Sequence, residues 1–184
     1  QPNPLPMAGD IGGAEVIREV ATMVMLLAVG WLAGRAWRSR LGFFVAAFGV
    51  WDIFFYVFLR VMTGWPRSLF DWDILFLIPL PWWGPVLAPV LIALLMIVGG
   101  VLLAYNDERA GPPRWPAKWS LGLSGVGVVL ALGVFMADAI RAVQRGEPLQ
   151  HVLPQSFDWP VFLVAWGLMA VPAIDLLRQY FSRR

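Results

Sequence analysis

Cysteine is absent from the 184 residues, and histidine occurs once, as His151. Without cysteine the chain can form no disulfide, zinc–thiolate site, iron–sulfur cluster or covalent c-type haem attachment of its own. One histidine excludes bis-histidine haem ligation within the chain. His151 lies in GEPLQHVLPQ and reads as a solvated loop residue, with a site shared with another subunit as the alternative. Cofactors are otherwise left open. No P-loop, dinucleotide fingerprint, HExxH or nucleophile motif occurs, and Ser and His are not spaced as a triad. Enzyme chemistry is therefore the least favoured class.

Charge is also scarce. Charged residues make up 14% of the chain, against about 25% in soluble domains. Lysine is nearly missing, because among 14 basic residues Lys118 is the lone lysine. The net charge of +2 is small, and the arginines sit in short clusters. That pattern makes no stripe for a nucleic-acid backbone, so nucleic acid is not an expected partner.

What is present is apolar surface. The chain is 59% hydrophobic with a mean hydropathy of +0.69. Five runs, at about 14–34, 41–64, 85–105, 119–143 and 159–181, are long enough to cross about 30 Å of hydrocarbon as helices. Helices are the expected form, because backbone groups in lipid must be satisfied within the segment. The runs lack the alternation and turn spacing of barrel strands. The expected fold is an all-α integral membrane protein, one domain over 1–184. It is a bundle of five transmembrane helices with an interfacial or re-entrant aromatic segment between the second and third.

Basic residues set the expected orientation. Arg35, Arg38 and Arg40, then Arg109, Arg114 and Lys118, then Arg178, Arg183 and Arg184 share one side of a five-span bundle. That side reads as cytoplasmic, with the N-terminus outside, in a bacterial inner membrane. Arg60, Arg67, Arg141 and Arg145 oppose the assignment, and long side chains near helix ends soften that opposition. Gln1 in place of Met fits either a removed signal peptide or a trimmed chain. Trp65, Trp72, Trp82, Trp83 and Trp159 collect at the outer boundary, and Trp37, Trp115 and Trp119 at the inner one. Trp31, Trp51 and Trp166 fall within spans and read as packing residues.

The outer connection WPRSLFDWDILFLIPLPWWGP is too short for two crossings and too apolar for a hydrated loop. Pro79, Pro81 and the Trp82-Trp83 pair preclude a long helix. Trp65, Asp71, Trp72, Asp73, Trp82 and Trp83 are its candidate lid or partner surface, with a plain aromatic anchor as the simpler reading. The tract FDWDILFLIPLPWWGPVLAP resembles sequence found in bacterial membrane proteins, a likeness that carries over no activity and no residue role. Trp51-Asp52-Ile53 recurs as Trp72-Asp73-Ile74. The match stops after nine residues, and chance accounts for it better than a repeat.

Asp52 is the sharpest functional lead. It falls near the middle of the second run, where a carboxylate costs about 2.5–3.5 kcal/mol to insert. It should face water, a partner or a site. Tyr56 and Arg60 follow at i+4 and i+8 on the same helix face. About 12 Å of rise between Asp52 and Arg60 prevents direct pairing. Asp138 could converge on Asp52 from another helix. The candidate polar site is therefore Asp52, Tyr56, Arg60 and Asp138. Asp138 with Arg141, and Asp175 with Arg178, read as local i, i+3 pairs. Phe44, Phe48, Trp51, Phe55 and Phe58 form an aromatic seam, most simply for packing. Small residues mark expected helix contacts: Gly30 and Gly34, Gly99 and Gly100, and the series Ser120, Gly122, Ser124, Gly125, Gly127 and Gly133. Pro172 should kink the fifth helix.

Two functions compete. The first is a non-catalytic accessory or scaffold subunit of a larger membrane complex, with lipid and other membrane subunits as partners. The alternative is a small proton- or ion-coupled transporter or channel that uses Asp52.

Overall fold

The computed structural model describes residues 10–75, 80–108, 115–147 and 156–181. His151 and the whole 109–114 stretch, with Arg109 and Arg114, lie outside these residues, as do Pro79, Arg183 and Arg184. The described chain holds six helices and one short hairpin, in the order α1 (Asp10–Ala33), α2 (Trp37–Thr63), β1 (Trp72–Ile74), β2 (Trp83–Pro85), α3 (Leu87–Glu108), α4 (Lys118–Phe135), α5 (Ala137–Arg145) and α6 (Trp159–Phe181). Four of them, α2, α3, α4 and α6, are long and apolar enough to cross a membrane. Exposed side chains such as Leu32, Val61 and Met62 are apolar while Ser39 and Ser120 are buried. That inversion suits a lipid solvent rather than water.

Helix α2 packs on α3, α4 on α6, and α1 on α2, while α3 joins the two halves through α6. Close approach is built from small residues. A Cβ added at Gly42 or Gly100 would meet backbone of the opposite helix at 2.6 and 2.5 Å respectively, and one at Gly49 would meet the Ala93 carbonyl at 2.5 Å. Glycine at these positions lets α2 and α3 touch backbone to backbone. Between α4 and α6, Gly127 plays the same part against Ala165. The remaining glycines of that series depart from expectation. Gly122, Gly125 and Gly133 have nothing within 4 Å, so they face outward. Gly30 and Gly34 meet Arg40 and Phe44 of the next helix in the same chain, so they serve the α1–α2 corner.

Helix ends explain several boundaries. Ala36 is extended, and Ser39 Oγ accepts the Ala36 N–H at 3.1 Å and donates to its carbonyl at 3.0 Å. Helix α2 thus begins before the expected span, with Arg38 and Arg40 in its first turn. Its other end stops at Gly64, whose φ of 76° is left-handed and favours glycine. Pro85 closes β2 opposite Trp72 instead of opening α3. The expected span at 119–143 is divided, because Met136 leaves helical geometry with φ −92° and ψ 2°. Its N–H still bonds Leu132 at 2.9 Å and its carbonyl accepts Ile140 N–H at 2.8 Å, so the ladder is re-aimed rather than lost. The sequence changes there from apolar on all sides to amphipathic. Helix α6 continues through Pro172.

One end of the bundle is basic. Arg40 lies 3.8 Å over the Trp31 ring, and Arg38 5.6 Å from the Trp115 ring. Trp31 is thus an exposed cation partner rather than a packing residue. Asp175 accepts Ala117 N–H at 2.7 Å, which ties α6 to the start of α4. The expected Asp175–Arg178 pairing gives way to this bond, because the orphan N–H at a helix start is the nearer demand. The opposite end carries the β1–β2 hairpin. Its core neighbours are Phe135, Phe157 and Phe162, with Trp82 stacked on Phe135 at 6.4 Å and 11°.

Candidate functional site

The hairpin is tied down on both sides. Leu75 N–H donates to Trp82 at 2.9 Å, Val86 N–H to Asp71 at 3.0 Å and Leu87 N–H to Leu69 at 2.8 Å. Asp71 Oδ2 also accepts Arg67 N–H at 2.7 Å and Ser68 N–H at 3.3 Å, which closes the turn leading into β1. Trp72 meets Phe157 at 6.3 Å, and Trp65 meets Tyr56 at 6.5 Å. Trp83 is buried. The six residues of the candidate lid surface are therefore largely engaged within the chain.

Beneath the hairpin lies a half-open cavity of about 570 Å³ among α1, α2, α3 and β1, with Phe135 of α4 at its wall. Asp52 lines it, and Tyr56 lies one turn further along α2. Tyr56 is buried and its hydroxyl donates to Asp73 Oδ2 at 2.9 Å. Asp73 also lines the cavity, close enough to Asp52 for like-charge repulsion. Burial holds the Asp73 carboxyl above the usual carboxylate range, partly offset by bonds from Tyr56 and from the Ile74 backbone. Among the described residues none donates a hydrogen bond to Asp52, which lines the cavity.

Two expected members lie elsewhere. The Arg60 guanidinium donates to Pro66 O at 2.9 Å and to Gly64 O, so it caps the end of α2. Free carbonyls at a helix C-terminus attract a cation, which accounts for this choice. Asp138 pairs with Arg141 at 2.6 Å, as the local spacing suggested, and is not among the cavity residues.

Three charged residues at the cavity were not assigned to it from the sequence. Asp73 reads from the sequence as part of the lid surface, and Arg18 and Glu19 lie on α1. The signal for the latter two was present, since ionisable residues inside an apolar run are costly. Asp73 carries no comparable signal, because it lies in a strand of three residues outside the apolar runs. The aromatic seam contributes Phe48, Trp51 and Phe55, linked ring to ring at 6.0 and 5.8 Å. Phe58 instead pairs with Phe54 at 5.9 Å. Among the described residues no three His, Cys, Asp or Glu side chains gather as a metal site.

The arrangement can hold a proton between Tyr56 and Asp73, and it can present the Asp52 carboxylate to a ligand in mostly apolar surroundings. No family model, curated protein or solved structure matches the chain.

Proposed function

We propose that the protein has five membrane spans and uses Asp52 in a proton- or ion-coupled step, as a small transporter or channel. The observation that carries this reading is the cavity that brings Asp52, Tyr56 and Asp73 together. A structural clasp would seat the Asp52 carboxylate against a donor, whereas Asp52 lines a cavity and accepts no hydrogen bond from the described residues. Helix α1 supplies the fifth span. Its 24 residues extend about 36 Å, and Met25, Leu27 and Leu32 face outward. The hairpin is the interfacial aromatic cap, with Trp65 and Trp159 at the same end. The basic end carrying Arg35, Arg38, Arg40 and Lys118 is cytoplasmic by the charge rule, which puts the N-terminus outside a bacterial inner membrane.

The accessory-subunit reading gains no observation of its own, because lipid covers the exposed apolar faces as well as a partner would. Stoichiometric copurification with other chains would favour it. The direct test is flux in proteoliposomes under an imposed potassium diffusion potential, with dyes for protons and for sodium inside. Wild type should carry one of these ions faster than empty vesicles, and Asp52→Asn should abolish the difference. No flux in wild type, or equal flux in the variant, would overturn the reading.

A further inference from the structure

We propose that the cavity beneath the hairpin binds a lipophilic organic cation, held by the Asp52 and Asp73 carboxylates and by the aromatic walls from α2 and the hairpin. The inference rests on the cavity being the functional site, and it names the ligand class. Three properties of the walls narrow that class. The first is charge. Among the described lining residues the Arg18 and Glu19 charges offset one another, which leaves the Asp52 and Asp73 carboxylates in excess, so the cavity favours positive charge and disfavours anions. The second is polarity. Val20, Val24, Pro89, Ile92 and Met96 give it mostly apolar walls, with few groups able to bond a sugar or an amino acid. A hard metal ion needs about six or more oxygen ligands, and the described residues gather no such set. The third is aromatic content. Phe48, Trp51, Phe55 and Trp82 line the space, and ring faces attract weakly hydrated cations.

A neutral lipid tail would fill the apolar part and bring neither charge nor donor to the Asp52 and Asp73 carboxylates. A cation with spread charge and apolar substituents satisfies both parts at once. The volume of about 570 Å³ lies within the range of pockets for drug-sized ligands.

The test uses two ions of similar size and opposite charge, tetraphenylphosphonium and tetraphenylborate. Equilibrium dialysis against the full chain in nanodiscs, with empty nanodiscs subtracted, reads the saturable component. The expected result is saturable tetraphenylphosphonium binding near one per chain and none for tetraphenylborate. Asp52→Asn should weaken binding at least about tenfold, the loss of one charge partner in an apolar site. Trp51→Leu keeps an apolar wall and the full charge while removing a ring, and should weaken binding about three- to tenfold. It stands in for Asp52→Asn if that variant does not fold. Absence of saturable cation binding, equal uptake of both ions, or wild-type affinity in the folded variants would overturn the proposal. Cation binding without proton or sodium flux would retain the ligand class and remove the coupling. Flux without cation binding would do the reverse.

Discussion

Gly99 and Gly100 are adjacent on α3, and the same substitution should move stability in opposite directions at the two sites. A Cβ added at Gly100 would lie 2.5 Å from the Gly42 carbonyl oxygen and 2.6 Å from the Ala46 nitrogen, both backbone atoms of α2. Ordinary contact begins at 3.4 Å, so the helices must part by about 0.9 Å, the difference between 3.4 and 2.5. Overpacking of this kind costs about 1–3 kcal/mol. At Gly99 the nearest atom to the new Cβ is Ala173 Cβ at 3.9 Å, an ordinary contact. Replacing a mid-helix glycine by alanine also contributes roughly 0.5–1 kcal/mol of favourable backbone entropy at either site. That gain cancels between the two variants, so their difference isolates the clash at about 1–3 kcal/mol. For a chain of 184 residues, each kcal/mol moves the unfolding midpoint by about 2–4 °C. Thermal unfolding in micelles, followed by circular dichroism, should place Gly100→Ala about 2–12 °C below Gly99→Ala, with Gly99→Ala at or above wild type. Equal midpoints for the two variants would refute a backbone-to-backbone α2–α3 contact. The same contact positions the cavity. Gly49 abuts the Ala93 carbonyl, and Ala93 and Met96 are cavity residues, so Gly49→Ala should alter ligand access as well as stability.

The remaining predictions concern the groups around the cavity and the ends of the bundle. Asp73 has a folded-state carboxyl pKa above the ordinary value, so the folded state holds its proton more tightly. This contribution is present at low pH and is lost as pH rises through the raised pKa. Asp73→Asn should therefore flatten the pH dependence of unfolding above about pH 4, and an unchanged slope would count against a desolvated Asp73. Tyr56→Phe should cost about 1–3 kcal/mol through the lost bond to a carboxylate. A double-mutant cycle with Asp73→Asn should recover most of that cost, and strict additivity would show that the two side chains do not interact. Asp175→Ala removes the acceptor for Ala117 N–H and should cost about 1–2 kcal/mol, read in denaturant titrations. Trp82→Ala opens the stack on Phe135 and should cost about 3–5 kcal/mol, with faster hydrogen exchange in β1 as the local readout.

Apolar length and helix punctuation were legible in the sequence, whereas the convergence of groups distant along the chain was not. Asp52 could be singled out because a carboxylate inside an apolar run violates the solvent it must occupy. The same argument applied to Arg18 and Glu19 with less force. They lie near the start of the first run, where charge is less costly than at its centre. The Arg60 assignment followed helix periodicity, which fixes the face on which a residue lies but not whether a long side chain folds back. Open carbonyls at Gly64 and Pro66 were nearer demands than an acid about 12 Å away. Pairing of Asp73 with Tyr56 depends on a hairpin of three-residue strands. Strands this short leave little alternating pattern to read, and their register is set by contacts at both edges. The Trp72-Asp73-Ile74 echo is the instructive case. As a repeat it is too brief to imply internal symmetry, and nothing in the architecture makes the two segments equivalent, one being helix and the other strand. Both acids line one cavity, but Trp51 lines it with Asp52 whereas Trp72 packs on Phe157. The two tryptophans therefore make different contacts, and a likeness of three letters carries no common role for the segments that hold it.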